Sequence, residues 1–297
     1  MDNLLVALIA LSPAIGEVAK KLFDVACYGI KRFVEPYYLA RDEKFKAKAE
    51  LEIFRTNPLK QLEFAQELLN NTDGRTPEET AKELANICKI IGAAVGCTKN
   101  VNVAIGENPY SEAEDKEWYA RFFDEARYIS DEQLQEVWGR LLAERLIRPA
   151  GVNNRVLYFI RDLDKNEIET IRRALRVFIN DSFTPNHIIE GFEGMEHDMV
   201  TLLALRIAHE SGDVLHPMVT TVNVQEEPLL YGHGYNFKIV PLDVDKEVNV
   251  SCYALTPEGR VLSRLCVTEL TCEEAQRIRD HLNARWAKKA RVEVVEK

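Results

Sequence analysis

The stretch from Trp118 to Pro149, WYARFFDEARYISDEQLQEVWGRLLAERLIRP, constrains the fold more than any other part of the chain. Trp118, Phe122 and Phe123 recur at helical spacing, so one face of a helix carries the aromatics. Ser130 and Gln133 stand at capping-box spacing, which predicts a helix over 131–146. On that helix Leu134, Val137, Trp138, Leu141, Leu142 and Leu146 form one apolar stripe, and Pro149 stops it. Two helices joined by one turn, each with a bulky apolar face, must bury those faces. Trp118, Phe122, Trp138, Leu141 and Leu142 are therefore the expected core of a helical bundle. A groove for a partner is the competing use of the same aromatics. Glu117, Asp124, Glu125, Asp131, Glu132 and Glu136 read as a solvated acidic face.

The N-terminal part also reads as helical. Leu4–Leu11 is an unbroken apolar run, and Ser12-Pro13 follows as N-cap and first helical position. Val18, Leu22, Val25, Ala26, Gly29, Ile30 and Phe33 then share one helical face, with Lys20, Lys21, Asp24, Lys31 and Arg32 opposite. Pro36 is expected to close that helix. The apolar surface has three readings: a core helix, an oligomerisation helix, or a segment that meets a membrane when released. Leu4, Leu8, Leu11, Val18, Leu22, Val25 and Phe33 carry the last two. Residues 37–56 are charged helix formers. Asn57-Pro58 starts a helix to Leu69, and Thr76-Pro77-Glu78-Glu79 opens another to Ala94. Residues 95–110 lack helical periodicity and read as a loop; Ser111 caps the aromatic helix.

The C-terminal third differs in character. A helix over 165–179 follows Asn153-Asn154 and RVLYFIRDL. Residues 180–197 read as a loop and a boundary, and Asp198 as the N-cap of a helix over 198–210. Runs of β type follow at 219–224, 229–231, 235–240 and 248–255, with Gly232-His233-Gly234 as a hairpin turn. Thr256-Pro257 opens a short helix, and Thr271 with Glu274 caps a basic helix to Lys289. The expected architecture is mainly α. An N-terminal amphipathic and charged helical region (1–56) and a central bundle (57–180) precede a small C-terminal α+β module of winged-helix-like order (181–297).

Chemistry is sparse. The six histidines lack metal-ligand spacing, no phosphate-binding glycine loop occurs, and the six cysteines form no C-x-x-C pair. Cys252 and Cys266 have no histidine placed to activate them. Neither an enzyme nor a cofactor or metal is expected. The cysteine pattern fits free thiols in a reducing compartment, and Asp2 stands where a signal peptide needs basic residues. No apolar run reaches the ~18–20 residues of a spanning helix. A cytoplasmic protein is expected. With 48 acidic against 38 basic residues the net charge is −10, which argues against a surface given over to nucleic acid. The remaining partner-binding candidates are His233 at the hairpin tip and Arg285, Lys288 and Lys289 on the basic helix.

The Trp118–Leu163 stretch resembles the core of a prokaryotic family of unknown function. That family combines a W-x-x-x-F-F helix, an I-S-D-E-x-x-Q-x-x-W-G-R-L-L-A helix, and P-x-x-x-x-x-R-x-L followed by D-L-x-x-x-E. These fall here on Trp118, Phe122 and Phe123; on Ile129 to Ala143; on Pro149, Arg155 and Leu157; and on Asp162, Leu163 and Glu167. Glu35, Pro36 and Arg41 fit its N-terminal segment. The family is similar to proteins of prophages and defence islands found beside abortive-infection genes, and the resemblance implies antiviral defence. The expected function is non-enzymatic: sensing of a viral protein, homo-oligomerisation, and perturbation of the inner membrane through the N-terminal segment. The alternative is a regulatory protein of a mobile element that binds nucleic acid or protein through its C-terminal module.

Overall fold

Local capping marks where most helices begin. Ser111 accepts from Glu114 N while the Glu114 carboxylate accepts from Ser111 N, a reciprocal box that opens an aromatic helix. Asn57, Asn153, Asp164 and Thr256 cap helices in related ways. The computed structural model describes residues 16–40, 48–70, 78–98, 108–210, 219–223, 229–242, 247–266, 268–286 and 289–296. They belong to two compact units, Met1–Asp162 and Leu163–Lys297.

The first unit is helical: α1 (Gly16–Ala40), α2 (Lys48–Thr56), α3 (Pro58–Asn70), α4 (Glu78–Thr98), α5 (Glu112–Ala126), α6 (Glu132–Ile147), a 3-10 turn over Pro149–Gly151, and α7 (Asn154–Arg161). The pairing of α4 with α6 is the most intimate, and Gly139 is the reason. A Cβ at Gly139 would lie 2.4 Å from Ala93 Cβ and 2.8 Å from Ile90 O, so the Trp-Gly-Arg motif needs its glycine to let two backbones approach. Helix α1 packs on α3, α4, α5 and α6, with Leu22, Ala26, Ile30 and Val34 fully buried.

Three local expectations are corrected here. Helix α1 runs through Pro36 to Ala40. A proline removes one i→i−4 bond but does not forbid helix on either side. The cap of α6 is Asp131, whose carboxylate accepts from Gln133 N and Leu134 N, in place of Ser130; an ionised acceptor serves this end of the helix dipole better than a hydroxyl. Helix α4 continues to Thr98, beyond the expected stop at Ala94. Residues 71–77, with the Thr76 box, and 99–107 lie outside the described residues.

The second unit is α+β. Its elements are α8 (Lys165–Leu175), β1 (Phe183–Pro185), α9 (Asn186–Ile189), α10 (Met195–Ala204), β2 (Ala208–Glu210), β3 (Val219–Asn223), β4 (Leu229–Tyr231), β5 (Tyr235–Pro241), β6 (Glu247–Leu255), α11 (Pro257–Leu265), α12 (Cys272–Trp286) and β7 (Ala290–Glu296). Strand β6 is the hub of one antiparallel sheet. It pairs with β1 (Phe183↔Ala254), β2 (Ala208↔Leu255) and β3 (Val219↔Ser251). The second sheet has the order β4-β5-β7 and is antiparallel throughout. Its buried Leu230, Phe237, Ile239 and Val292 form a core with Ile278, Leu282 and Trp286 of α12. The Asn283 carboxamide of α12 donates to Val292 O and accepts from Val292 N, which clamps β7 in place.

The mainly α fold with an α+β C-terminal module is what the sequence pattern predicts. Its details differ from expectation in this unit. The segment 180–197 holds β1 and α9 rather than a loop. The helix expected over 198–210 starts at Met195 and ends at Ala204, and 208–210 is strand β2. Asp198 is inside α10 and is no cap: it is buried, and its carboxylate takes two bonds from Arg173 of α8, at 2.6 and 2.7 Å. That pair ties α8 to α10, so α8 belongs with the second unit rather than with the helical bundle.

Candidate functional site

The site grows from the chain that enters α5. Asn108 Oδ1 accepts from Tyr110 N, and its Nδ2 donates to Asp115 Oδ2 at 2.6 Å. The other carboxylate oxygen, Asp115 Oδ1, accepts from Arg145 Nη2 at 2.5 Å. Arg145 belongs to α6 and is 1% exposed. Its Nη1 donates to Val152 O at 2.6 Å and Pro149 O at 3.1 Å. Its guanidinium carbon lies 4.1 Å from the Tyr110 ring centre and 5.1 Å from that of Trp118. A buried charge is tolerable only when paired and hydrogen-bonded, and here it is both. One arginine thus orders the start of α5, the end of α6 and the turn that leads into α7.

Beside it lies a cleft of about 380 Å³ lined by Tyr110, Trp118, Arg121, Arg145, Asn153, Asn154 and Arg155, together with Glu114 and Glu117. Arg121 donates to Tyr158 Oη at 2.6 Å and pairs with Glu117. Glu114 is held below its ordinary carboxyl range by the bonds it accepts from Ser111, first from the hydroxyl and then from the backbone N–H. Asn153 Oδ1 accepts from Arg155 N and Val156 N, which caps α7. Three buried polar atoms on this lining have no hydrogen-bond partner: Trp118 Nε1, Arg145 Nε and Asn154 Oδ1. Volume, aromatics and a few convergent polar groups are the ordinary ingredients of a small-ligand site.

The sequence-derived candidates fall as follows. Trp118, Phe122, Trp138, Leu141 and Leu142 are all buried, with Phe122 stacked on Trp118 at 5.3 Å and tilted against Trp138 at 5.2 Å between ring centres. Trp118 alone of these also lines the cleft. Val18, Leu22 and Val25 are buried in the first unit and Phe33 is half-buried. Leu4, Leu8 and Leu11 lie outside the described residues, as does Lys288. Arg285 and Lys289 are exposed near the end of α12. The acidic residues of the expected face are paired or capping: Asp124 with Arg32, Glu125 with Arg161, Glu132 with Lys89, Glu136 with Arg140.

His233 stands in a cluster of the second unit. Ser263 donates to Asp181 Oδ1 at 2.8 Å and lies 3.3 Å from His233 Nε2, while His233 O accepts from Leu270 N. Asn180 and Asp181 both have positive φ, which places them against the β4–β5 hairpin: Asn180 N donates to Tyr231 O and its side chain accepts from Tyr231 N. Ser263 is fully buried between the Asp181 carboxylate and His233, so the cluster anchors the hairpin tip. Burial pushes the thiols of Cys27 and Cys88 up to about 12, with the Asp24 carboxylate adding to the effect at Cys27; they are inert at neutral pH.

Sequence reasoning missed Arg145, Asp115 and Tyr110. A signal was present. Arg145 stands four residues after Leu141 and three after Leu142, on the apolar stripe of α6. A charge at a core position must find its partner inside.

Comparison with known proteins places this cleft within a recognised span. Among the described residues, no helix is long and apolar enough to cross a membrane, and no group of three or more His, Cys, Asp or Glu side chains is placed to hold a metal ion. No curated protein and no solved structure matches the chain. Residues 71–204 match the model of a family described as a protein of unknown function (DUF2806), a span that holds every lining residue of the cleft and extends through α10.

Proposed function

We propose that this is a non-enzymatic antiviral defence protein that recognises a viral protein, with the cleft around Trp118 and Arg145 as its recognition site. One observation carries the reading: Trp118, Arg145 and Asn154 line the same cleft, and each has a buried polar atom with no hydrogen-bond partner. Such atoms cost free energy in the unliganded protein, and a ligand that satisfies them recovers it. Trp118–Leu163 resembles a family of unknown function that is similar to proteins of prophages and defence islands, and this supports the antiviral setting. In this reading recognition leads to homo-oligomerisation, and residues 1–34 then act on the inner membrane. The burial of Val18, Leu22 and Val25 adds a requirement: α1 must unpack from α3 and α4 before its apolar face meets lipid. The test is phage challenge of cells that express the wild type or Asn154→Asp, with dye entry followed in parallel. Loss of protection by a folded Asn154→Asp protein is the expected result. Undiminished protection removes the cleft from sensing, and protection without dye entry removes the membrane step.

A regulatory role on nucleic acid is favoured by one feature, the exposed Arg285 and Lys289 at the end of α12. Binding to duplex DNA should then fall steeply with salt as counterions are released, and charge reversal at Arg285 and Lys289 should abolish it. No binding at low salt discards this reading.

A further inference from the structure

We propose that the contact between α9 and α12 is an acid-sensitive joint, in which a proton on His187 releases α9 from the face of α12 that carries His281 and Arg285. The joint is built on a polar stripe. Arg277, His281 and Arg285 recur every four residues on α12 and so share one face. The neighbouring face, with Ile278, Leu282 and Trp286, is buried against the second sheet. Along the stripe the Arg277 guanidinium lies 5.3 Å from the Phe192 ring centre, and the His281 ring lies so close to Gly191 that a Cβ there would stand 2.1 Å from its Nε2. His187 sits beside His281 and Arg285. It is half-buried, and its Nε2 is buried with no hydrogen-bond partner. A neutral imidazole tolerates one idle nitrogen, whereas an imidazolium has two N–H donors and would leave one unsatisfied here. The surrounding charge acts in the same direction. Arg285 and His281 face His187 from α12, and the exposed Glu190, just past α9, is the opposing anion. Strand β1 has no charged residue, and β6 meets it with Cys252, Tyr253 and Ala254. Burial first, then Arg285 and His281, hold the His187 imidazole below its ordinary 6.5. The released state therefore takes the proton more readily than the closed one. Closure is fully favoured above 6.5 and is lost progressively as pH falls from 6.5 through the lower closed-state value. Release uncovers Ile188 and Ile189, which are buried in the closed joint.

Hydrogen exchange of the full-length protein reads the joint directly. Protection factors, which remove the pH dependence of intrinsic exchange, are compared at about pH 7.5 and about pH 5.5 for residues 186–192, with α6 of the first unit as reference. Uptake of one proton raises the opening constant by up to about ten-fold per pH unit. Protection of 186–192 should therefore fall several-fold on acidification while that of α6 holds. His187→Gln keeps a neutral polar side chain that cannot take the proton, so its protection should be the same at both pH values. Arg285→Gln removes a cation at an exposed position and leaves the core of the unit untouched. In that variant the midpoint of His187 protonation, followed by the NMR signals of its ring, should move up towards the ordinary 6.5, and the loss of protection should shrink. This second variant decides the matter if His187→Gln does not fold. The proposal is overturned if His187 of the wild type titrates at 6.5 or above, or if protection of 186–192 ignores pH or falls in step with α6. It is equally overturned if the acid response persists in folded His187→Gln, or if the His187 midpoint stays in place in Arg285→Gln.

Discussion

Arg145 and Asp115 meet at 2.5 Å with the guanidinium 1% exposed and the carboxylate 16% exposed. This ion pair joins the end of α6 to the first turn of α5. Removing one partner of a buried pair strands the other charge, which typically costs about 3–5 kcal/mol. Asp115→Ala should therefore lower the stability of the first unit by that order in urea or heat, with Asp115→Asn milder because it keeps an acceptor. An Asp115→Ala protein that melts like the wild type would show the guanidinium to be hydrated.

Gly139 and Ala93 set the spacing of α6 and α4. Gly139→Ala places a methyl 2.4 Å from Ala93 Cβ and 2.8 Å from Ile90 O, an overpacking change of about 1–3 kcal/mol. Ala93→Gly in the same chain should recover part of the loss, because the Ile90 carbonyl remains in the way. Equal stabilities for the single and double variants would mean the helices simply move apart. The check is a double-mutant cycle by chemical denaturation.

Leu22 is fully buried. Leu22→Glu puts a carboxylate into the core of the first unit, where an unpaired charge is severely destabilising, so the purified variant should lose cooperative unfolding. Trp138→Ala, at another fully buried position, should cost about 3–5 kcal/mol. Circular dichroism and thermal melts decide both. A folded Leu22→Glu protein would mean that the face of α1 does not need its core contacts, and would restore that face as a free membrane surface.

The capping box at Ser111 should be pH-dependent. The carboxyl of Glu114 lies below its ordinary 4.5 because Ser111 donates to it from its hydroxyl and backbone. A depressed folded-state pKa means stability that is present above 4.5 and lost as pH falls through the lower folded value. Glu114→Gln should thus be less stable than the wild type at neutral pH, and the gap should close as acid is added. A gap that is constant with pH would show that the carboxylate charge contributes nothing.

Much of the fold was legible because capping and periodicity are local. Ser111, Asn57, Thr256 and Thr271 announce helices by which backbone N–H groups their side chains can reach, and the 3.6-residue recurrence of Trp138, Leu141 and Leu142 marks a face that must be buried. The hairpin around Gly232–Gly234 was legible for the same reason. Partner choice was not. The stripe of α8 says that it packs, yet only the contact of Arg173 with Asp198 shows that it packs on α10. Strands β1 and β2 were missed because strands of three residues carry almost no pattern, and the seven-residue β7 was missed because it is held by Asn283 and by pairing with β5. The cleft is the clearest case. Arg145, Asp115, Tyr110 and Asn154 are spread over 45 residues of sequence and ordinary one by one. What each amino-acid type can donate, accept or bury is written in the chain. Which donors end up side by side, and which are left unpaired, is decided only when three helix ends converge on one buried guanidinium.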